Sequence, residues 1–246
     1  MNSAKNLYRQ LELSYIVPVF FNQGNFEMLH GLIKGYSSYS RDLLQRIQFI
    51  FVEYCSPVPI ELPKDINLNI LLLRITDDII WNQGGARNLG VAQSRTAKLV
   101  LTDVDHIFSE ILFSKMLDHR IPTNLHKFKR VDGEKFRMSS VCNIYFTSKS
   151  VFFKALGYDE EFCGNYGYED TMFFNLQKKL GTSLKYFNRR DSIIVKKLQK
   201  DTIYHSLTRD TSANHALMQS KLKLLHGKNP FLCHSRLFLN FNWVKV

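Results

Sequence analysis

Three short segments carry side chains whose types and spacing could do chemistry. The first, KLVLTDVDHIF from Lys98 to Phe108, ends an apolar run with Asp103 and Asp105 at alternate positions and His106 beside them. Alternate residues of an extended strand share a face, and the turn at a strand end can redirect either one. One carboxylate can then coordinate a divalent cation while the other holds a ribose hydroxyl. Hard oxygen ligands together with a diphosphate form the donor set that Mg²⁺ or Mn²⁺ prefers. The same acids could instead cap the next helix. The second segment, LGYDEEFCGNYGYEDTMFFNLQKKLG from Leu156 to Gly181, places Glu169 and Asp170 where a helix begins. A carboxylate poised there and partly desolvated can take the proton of an attacking hydroxyl, or it can simply complement the helix dipole. In the third, DTIYHSLTRDT from Asp201 to Thr211, His205 stands in an apolar stretch ahead of Arg209 and Asp210. Such a His is either a hydrogen-bonded core residue or a metal ligand.

An alternation of strands and helices must position these groups. Leu13 to Phe20 is an apolar, β-branched run, followed by the turn residues Asn22, Gln23 and Gly24. Phe26, Leu29, Leu32 and Ile33 then recur at helical spacing up to Tyr36. Leu43 to Ile47 closes a helix, and Phe49 to Val52 reads as a buried strand ending at Glu53. Cys55 to Pro63, with its three prolines, is a loop, and Leu68 to Ile75 gives a third strand. Asn82 to Ser94 reads as a helix that begins through Gly84 and Gly85, and Ala97 to Thr102 as a fourth strand. The pattern predicts an α/β fold with a mostly parallel central sheet flanked by helices. Ligands of such sheets collect beyond the carboxyl ends of the strands, where Asn22, Glu53, Asp77 and Asp103 fall. The second half is less regular. Ile111 to Leu117 is expected as a short helix, Met138 to Phe146 as a strand, and Ser148 to Leu156 as a helix stopped by Gly157. A last helix should run from Glu169 or Asp170 to Leu180, with Gly181 just past its end.

Composition narrows the class. The chain has 246 residues, 45% hydrophobic and 22% charged, which fits a globular protein and excludes a disordered one. Thirty-three Lys and Arg against 22 Asp and Glu give a net charge of +11, an excess that favours polyanionic partners or phosphorylated substrates. No helix-turn-helix, zinc-finger or RNP-like signature accompanies it, so no nucleic-acid partner is expected. No apolar run reaches the ~18 residues of a membrane span. Met1 to Gln10 is polar and lacks the apolar core of a secretory signal, which predicts a cytoplasmic protein. Cys55, Cys142, Cys163 and Cys233 are too scattered for a disulfide framework or zinc knuckle and should be reduced thiols.

WNQGGARNLGVAQS, from Trp81 to Ser94 just ahead of DVD, and IVPVFFNQ, from Ile16 to Gln23, resemble the GT-A nucleotide-sugar glycosyltransferases. There, an Asn-rich, Gly-containing helix start precedes a strand that ends in DxD. In place of the acidic pair usual after the second strand stands FVEYCSP, with Glu53 as its one acid. The Leu156 to Gly181 segment is similar to the acceptor-side motif of metal-dependent galactosyltransferases and related N-acetylgalactosaminyltransferases: a Gly-rich aromatic loop, Glu-Asp, then a helix. In the same transferases a strand near Asp201 to Thr211 carries a His that completes the metal site, followed by a basic loop. The resemblance covers Leu13 to Thr211 in motif order and implies a single Rossmann-like GT-A domain. Residues 1–108 would form the nucleotide-sugar-binding half and residues 109–215 the acceptor and catalytic half.

By position, the resemblance implies that Asp170 is the general base, that Glu169 orients acceptor hydroxyls, and that Tyr166 or Tyr168 stacks on a sugar face. Pro18, Asn22, Glu53, Asn82, Arg87 and Asp103 would bind the donor. Asp105 and His205 would hold Mn²⁺ or Mg²⁺, with His106 competing for the second role. The implied reaction is metal-dependent, inverting transfer of galactose, N-acetylgalactosamine or glucose from a UDP-sugar to a hydroxyl of a glycan or lipid-linked glycan. Surface polysaccharide or lipopolysaccharide synthesis is the setting it suggests. A non-catalytic nucleotide- or glycan-binding module of the same fold, or a basic nucleic-acid-binding protein, is the alternative. Beyond the resemblance, residues 216–246 form a basic, aromatic segment. It could dock on an anionic membrane surface, making the protein peripheral, or pack on the domain.

Overall fold

A computed structural model describes residues 11–132, 135–137, 143–187, 193–195 and 205–246. The chain opens with strand β1 (Leu13–Val19), helices α1 (Glu27–Ser37) and α2 (Arg41–Leu44), and strands β2 (Ile47–Tyr54) and β3 (Asn69–Ile75). Helix α3 (Gln83–Gln93), strands β4 (Lys98–Leu101) and β5 (His106–Ile107), and helix α4 (Glu110–Asp118) complete the first half. Short strands β6 (Leu125–Lys127), β7 (Arg130–Asp132), β8 (Lys135–Arg137) and β9 (Tyr145–Ser148) follow, then α5 (Lys149–Lys154) and α6 (Glu169–Lys179). The chain finishes with β10 (Leu184–Tyr186), β11 (Ile193–Val195), α7 (Ser212–Leu225) and β12 (Trp243–Lys245).

Eight strands form one sheet in the order β10, β6, β9, β4, β1, β2, β3, β12. β1 runs parallel to β2, with Leu13 opposite Ile47, and parallel to β4, with Leu13 opposite Lys98. β2 in turn runs parallel to β3. The carboxyl ends of four strands therefore meet at one edge. Every residue of β1 and β2 is buried, the polar Ser14, Gln48 and Glu53 included, as expected of central strands covered on both faces. Alternation splits their side chains between two cores: Tyr15 and Phe49 face α1 and α4, while Ile16 and Ile50 face α3. α3 lies directly on the sheet because Gly90 has no Cβ, which would stand 2.4 Å from Cγ2 of Ile16. β5, β11, β7 and β8 form a second, small sheet.

The sheet is mostly parallel, as the alternation of the first hundred residues predicts, with antiparallel neighbours added from the second half. β9 runs antiparallel to β4, pairing Tyr145 with Leu101, and β12 runs antiparallel to β3. The strand expected from Met138 to Phe146 is instead β9, beginning at Tyr145 and ending at Ser148, whose hydroxyl accepts from the Val151 amide and starts α5. Residues 138–142, Cys142 among them, lie outside the described residues, as do residues 201–204 of the third segment. The helix expected through Ile47 stops at Leu44, because Ile47 is already the first residue of β2. α6 ends as expected, with Gly181 at φ +78°.

The C-terminal segment packs on the domain. β12 pairs with β3 and covers what would be an open sheet edge. Among the described residues, no helix is long and apolar enough to cross a membrane.

Candidate active site

The carboxyl edge of the sheet opens into a cleft of about 300 Å³. Pro18, at the end of β1, and Asp103 and Asp105, just past β4, line one part of it. Tyr166, Tyr168, Glu169 and Asp170, where the Gly-rich loop turns into α6, line another, together with His205 and Arg209. Trp81, Gln83, Asn143 and Thr171 also reach the cleft.

Arg87 joins the two parts from beneath. It projects from α3 with no exposed surface. Its Nη2 donates to Oδ1 of Asp103 at 2.6 Å and its Nη1 to Oδ1 of Asp170 at 3.0 Å. Burial alone would weaken its charge, but these carboxylates overcome that and hold the guanidinium cationic. The Tyr158 hydroxyl adds a second donor to Oδ1 of Asp170 at 2.9 Å, and Asn143 donates to Oδ2 of Asp103. Burial pushes the Asp170 carboxyl up to about 6, against the pull of Arg87. The neighbouring Glu169, also buried and beside Asp170, is pushed up to about 8. Both carboxyls are thus raised and titrate as a coupled pair, with Glu169 the harder of the two to ionise.

The loop ahead of α6 is fixed from α7. The side-chain amide of Asn214 lies 2.8 to 3.0 Å from the carbonyl oxygens of Phe162, Asn165 and Gly167. Tyr168, immediately before the helix, adopts the left-handed φ of +71°, which a residue with a Cβ rarely takes. Trp81 stands 4.6 Å from the Tyr166 ring, and the Arg209 guanidinium lies over Tyr166 at 5.7 Å. Aromatic faces backed by a cation suit the stacking of a sugar ring.

Candidate metal ligands gather at DVD. Asp103, Asp105 and His106 bring one donor atom each within 4.8 Å of one another, and Nδ1 of His106 is 3.0 Å from Oδ1 of Asp105. Carboxylate oxygens beside an imidazole fit Mn²⁺ or Mg²⁺. Both oxygens of Asp103 are engaged by Arg87 and Asn143, so Asp105 with His106 is the better-placed pair. His205, the other expected ligand, also lines the cleft, its ring 5.1 Å from Trp81 and 6.0 Å from Phe20. Burial and the nearby Arg209 lower its pKa and favour the neutral imidazole.

The other residues expected at the donor lie outside the cleft lining. Glu53 is fully buried, its carboxylate 2.6 Å from Arg74 and accepting from the Ile60 amide. Asn22 exchanges two hydrogen bonds with Ser206 and so ties the end of β1 to the segment that carries His205. Asn82 is buried at the start of α3, against Gly85, where an added Cβ would come within 2.2 Å of its Oδ1. Tyr158, Asn143, Trp81 and Asn214 are the functional candidates that sequence reasoning missed. Trp81 and Tyr158 sit inside segments already singled out, whereas only a contact with a distant residue distinguishes Asn143 and Asn214.

No protein-family model matches the sequence, and no curated protein sequence does. Solved structures do. S. aureus TarS 1-349, in complex with UDP-GlcNAc, matches with a TM-score of 0.63 at 13% identity, over 91% of this chain and 69% of that one. The catalytic domain of Drosophila beta1,4galactosyltransferase 7, complexed with xylobiose, matches at 0.56 and 12%, over 83% and 78%. The mannosyltransferase PcManGT from Pyrobaculum calidifontis, in complex with GDP-Man and Mn2+, matches at 0.53 and 9%, over 90% and 68%. The chain therefore has the GT-A fold of nucleotide-sugar glycosyltransferases, as the sequence motifs predict.

Proposed function

We propose that the protein is a metal-dependent, inverting glycosyltransferase that moves a hexose or N-acetylhexosamine from a UDP-sugar to a hydroxyl of a glycan or lipid-linked glycan. One observation carries this reading: the buried Arg87 grips Asp103 and Asp170 at once, so that the donor-side and acceptor-side acids open into one cleft. The fold, shared with enzymes complexed with UDP-GlcNAc and with GDP-Man and Mn2+, supports the donor class.

Inverting displacement needs a base on the acceptor and charge neutralisation on the leaving group. Asp170, ionised at the mouth of α6, takes the proton of the acceptor hydroxyl as its oxygen attacks the anomeric carbon opposite the diphosphate. The protonated Glu169 can donate a hydrogen bond to a neighbouring acceptor oxygen. Trp81 and Tyr166 offer faces against which a sugar ring can be oriented. Asp105 with His106 would hold the divalent ion, which when bound neutralises the diphosphate. Synthesis of a cell-surface polysaccharide, on the cytoplasmic side, is the setting we infer.

Thermal melting with Mn²⁺ and a panel of UDP-galactose, UDP-glucose, UDP-N-acetylgalactosamine and UDP-N-acetylglucosamine tests the donor class, because a ligand that binds only the native state raises the Tm. At least one pair of Mn²⁺ and UDP-sugar should raise it and release UDP on incubation. A flat panel with no UDP release would overturn the reading.

A further inference from the structure

Two donors, from different elements, converge on a single oxygen of Asp170. Arg87 reaches Oδ1 from α3, and the Tyr158 hydroxyl reaches the same atom from the loop after α5. Among the described residues, no hydrogen bond reaches Oδ2. Tyr158 is fully buried, its ring stacked on Phe173 at 4.5 Å and lying under the Arg87 guanidinium at 5.3 Å. Among the described residues its hydroxyl bonds to Asp170, so the side chain is anchored by its ring and spends its polar end on the carboxylate. A buried Tyr finds a hydrogen-bond partner as a rule, but here the partner is an acid that lines the cleft.

We infer that Tyr158, together with Arg87, is a positioning residue for the general base: by occupying Oδ1 they fix the carboxylate plane and leave Oδ2 as the oxygen presented to the acceptor hydroxyl. The inference rests on the reading of Asp170 as the base. A carboxylate held on one oxygen by two donors cannot rotate about its Cβ–Cγ bond without breaking both hydrogen bonds. The acceptor therefore meets one lone-pair geometry, which is the condition for efficient proton transfer. Both donors favour the ionised form. The other charged or titratable groups around Asp170 are Asp103 past β4, Glu169 on α6 itself, and Asp105, His205 and Arg209 on the cleft wall. Tyr158→Phe alters none of these.

Tyr158→Phe removes one oxygen and keeps the ring packing, so it should melt like the wild type and bind Mn²⁺ and UDP with unchanged affinity. The rate would be read as UDP release from the most active UDP-sugar of the panel, with water and a set of mono- and disaccharides as acceptors. We expect kcat to fall ~10- to 100-fold at neutral pH, below the ~10²- to 10⁴-fold loss of removing a base outright, with donor KM unchanged. The acidic limb of kcat/KM should move to higher pH, because losing a donor to the carboxylate makes it easier to protonate. Arg87→Lys, which keeps the charge but not the two-pronged grip, should move the limb the same way. Asp170→Asn run in parallel separates the two levels of inference. If it retains transfer, the base assignment itself fails. If it abolishes transfer while Tyr158→Phe keeps wild-type kcat and an unmoved limb, the positioning role alone is overturned. A Tyr158→Phe protein that loses donor binding and melting temperature together would equally overturn it, as a purely structural role.

Discussion

Nζ of Lys221 on α7 stands 2.6 Å from Oδ2 of Asp159, with both groups buried. Glu161 takes a second contact from the same ammonium at 2.6 Å, and Ser235 donates to Asp159 from its amide and its hydroxyl. Glu160, between them, accepts from the amides of Leu239 and Asn240. The acids of LGYDEEF thus fasten α7 and the C-terminal segment to the loop that leads to α6.

Removing the cation from this cluster should be costly. Lys221→Met leaves Asp159 buried without its partner, and breaking a buried pair in that way costs ~3–5 kcal/mol. Urea unfolding at neutral pH would measure it; a loss under ~1 kcal/mol, the level of an exposed pair, would mean that water reaches the site. The pH dependence has a definite sign. Burial raises the Asp159 pKa, but the hydrogen bonds from Lys221 and Ser235 more than reverse this and leave it lowered. Its contribution is therefore full above the unfolded value of ~3.9 and is lost as pH falls through the lower folded value. The raised Lys221 pKa adds stability that is full below ~10.4 and is lost only at more alkaline pH. Stability measured between these limits should be flat with respect to this pair.

Asp103 and Asp105 should separate in opposite directions when substituted. Asp103→Asn deprives the buried Arg87 of one of its two carboxylates, a loss of ~1–3 kcal/mol in stability. Asp105, whose side chain is 31% exposed beside His106, is not one of the two carboxylates that hold Arg87, and Asp105→Ala should cost less stability than Asp103→Asn. Donor binding should follow the reverse order, with Mn²⁺-dependent UDP affinity lost in Asp105→Ala and only weakened in Asp103→Asn. His205→Gln, outside the Asp105 and His106 pair, should reduce that affinity less than Asp105→Ala does. Calorimetric titration of UDP with and without Mn²⁺ decides the ranking, and an unchanged affinity in Asp105→Ala would move the metal elsewhere.

How much of this was legible in the sequence depends on the range of the interaction. β1, β2, α1 and α3 could be read because continuous apolar runs and a 3.6-residue period are local signals. β12 could not: Trp243–Lys245 is three residues long, and only the open edge of β3 makes it a strand. DVD and YED could be placed in one cleft only through their family resemblance, since 64 residues separate Asp105 from Glu169. The spacing of GGARN gives no sign that Arg87 is a buried bridge rather than a surface donor contact, because an Arg on a helix ordinarily faces solvent. Glu53 shows the converse. A lone acid after a strand reads as a ligand contact, yet Arg74 on the adjacent β3 already neutralises it.

Gly90 offers a test of the close packing beneath the site. A methyl group there would stand 2.4 Å from Cγ2 of Ile16, and the helix could relieve the overlap only by lifting off β1. Gly90→Ala should therefore destabilise by ~1–3 kcal/mol despite its better helix propensity. Arg87 lies on the same helix, so lifting it should also lower kcat. Denaturant midpoints and UDP release measured together check this; a stabilised variant with normal turnover would show that the helix has room to move.

The pH profile of transfer is the most direct reading of the acid pair at the start of α6. Burial and the neighbouring Asp103 raise the Asp170 pKa, Arg87 and Tyr158 oppose them, and the result is about 6. A base acts only when ionised, so kcat/KM should fall tenfold per pH unit as pH drops below about 6. Glu169, pushed up to about 8 by its burial and by Asp170, works as a hydrogen-bond donor only while protonated. Activity should therefore also decline on the alkaline side, giving a bell whose limbs belong to the pair rather than to either residue alone. Glu169→Gln keeps a donor at that position and cannot ionise. It should retain transfer at neutral pH and flatten the alkaline limb, while Asp170→Asn should lose ~10²–10⁴-fold in kcat at every pH. An alkaline limb that persists unchanged in Glu169→Gln would assign it to another group, and the protonated role of Glu169 would fall with it.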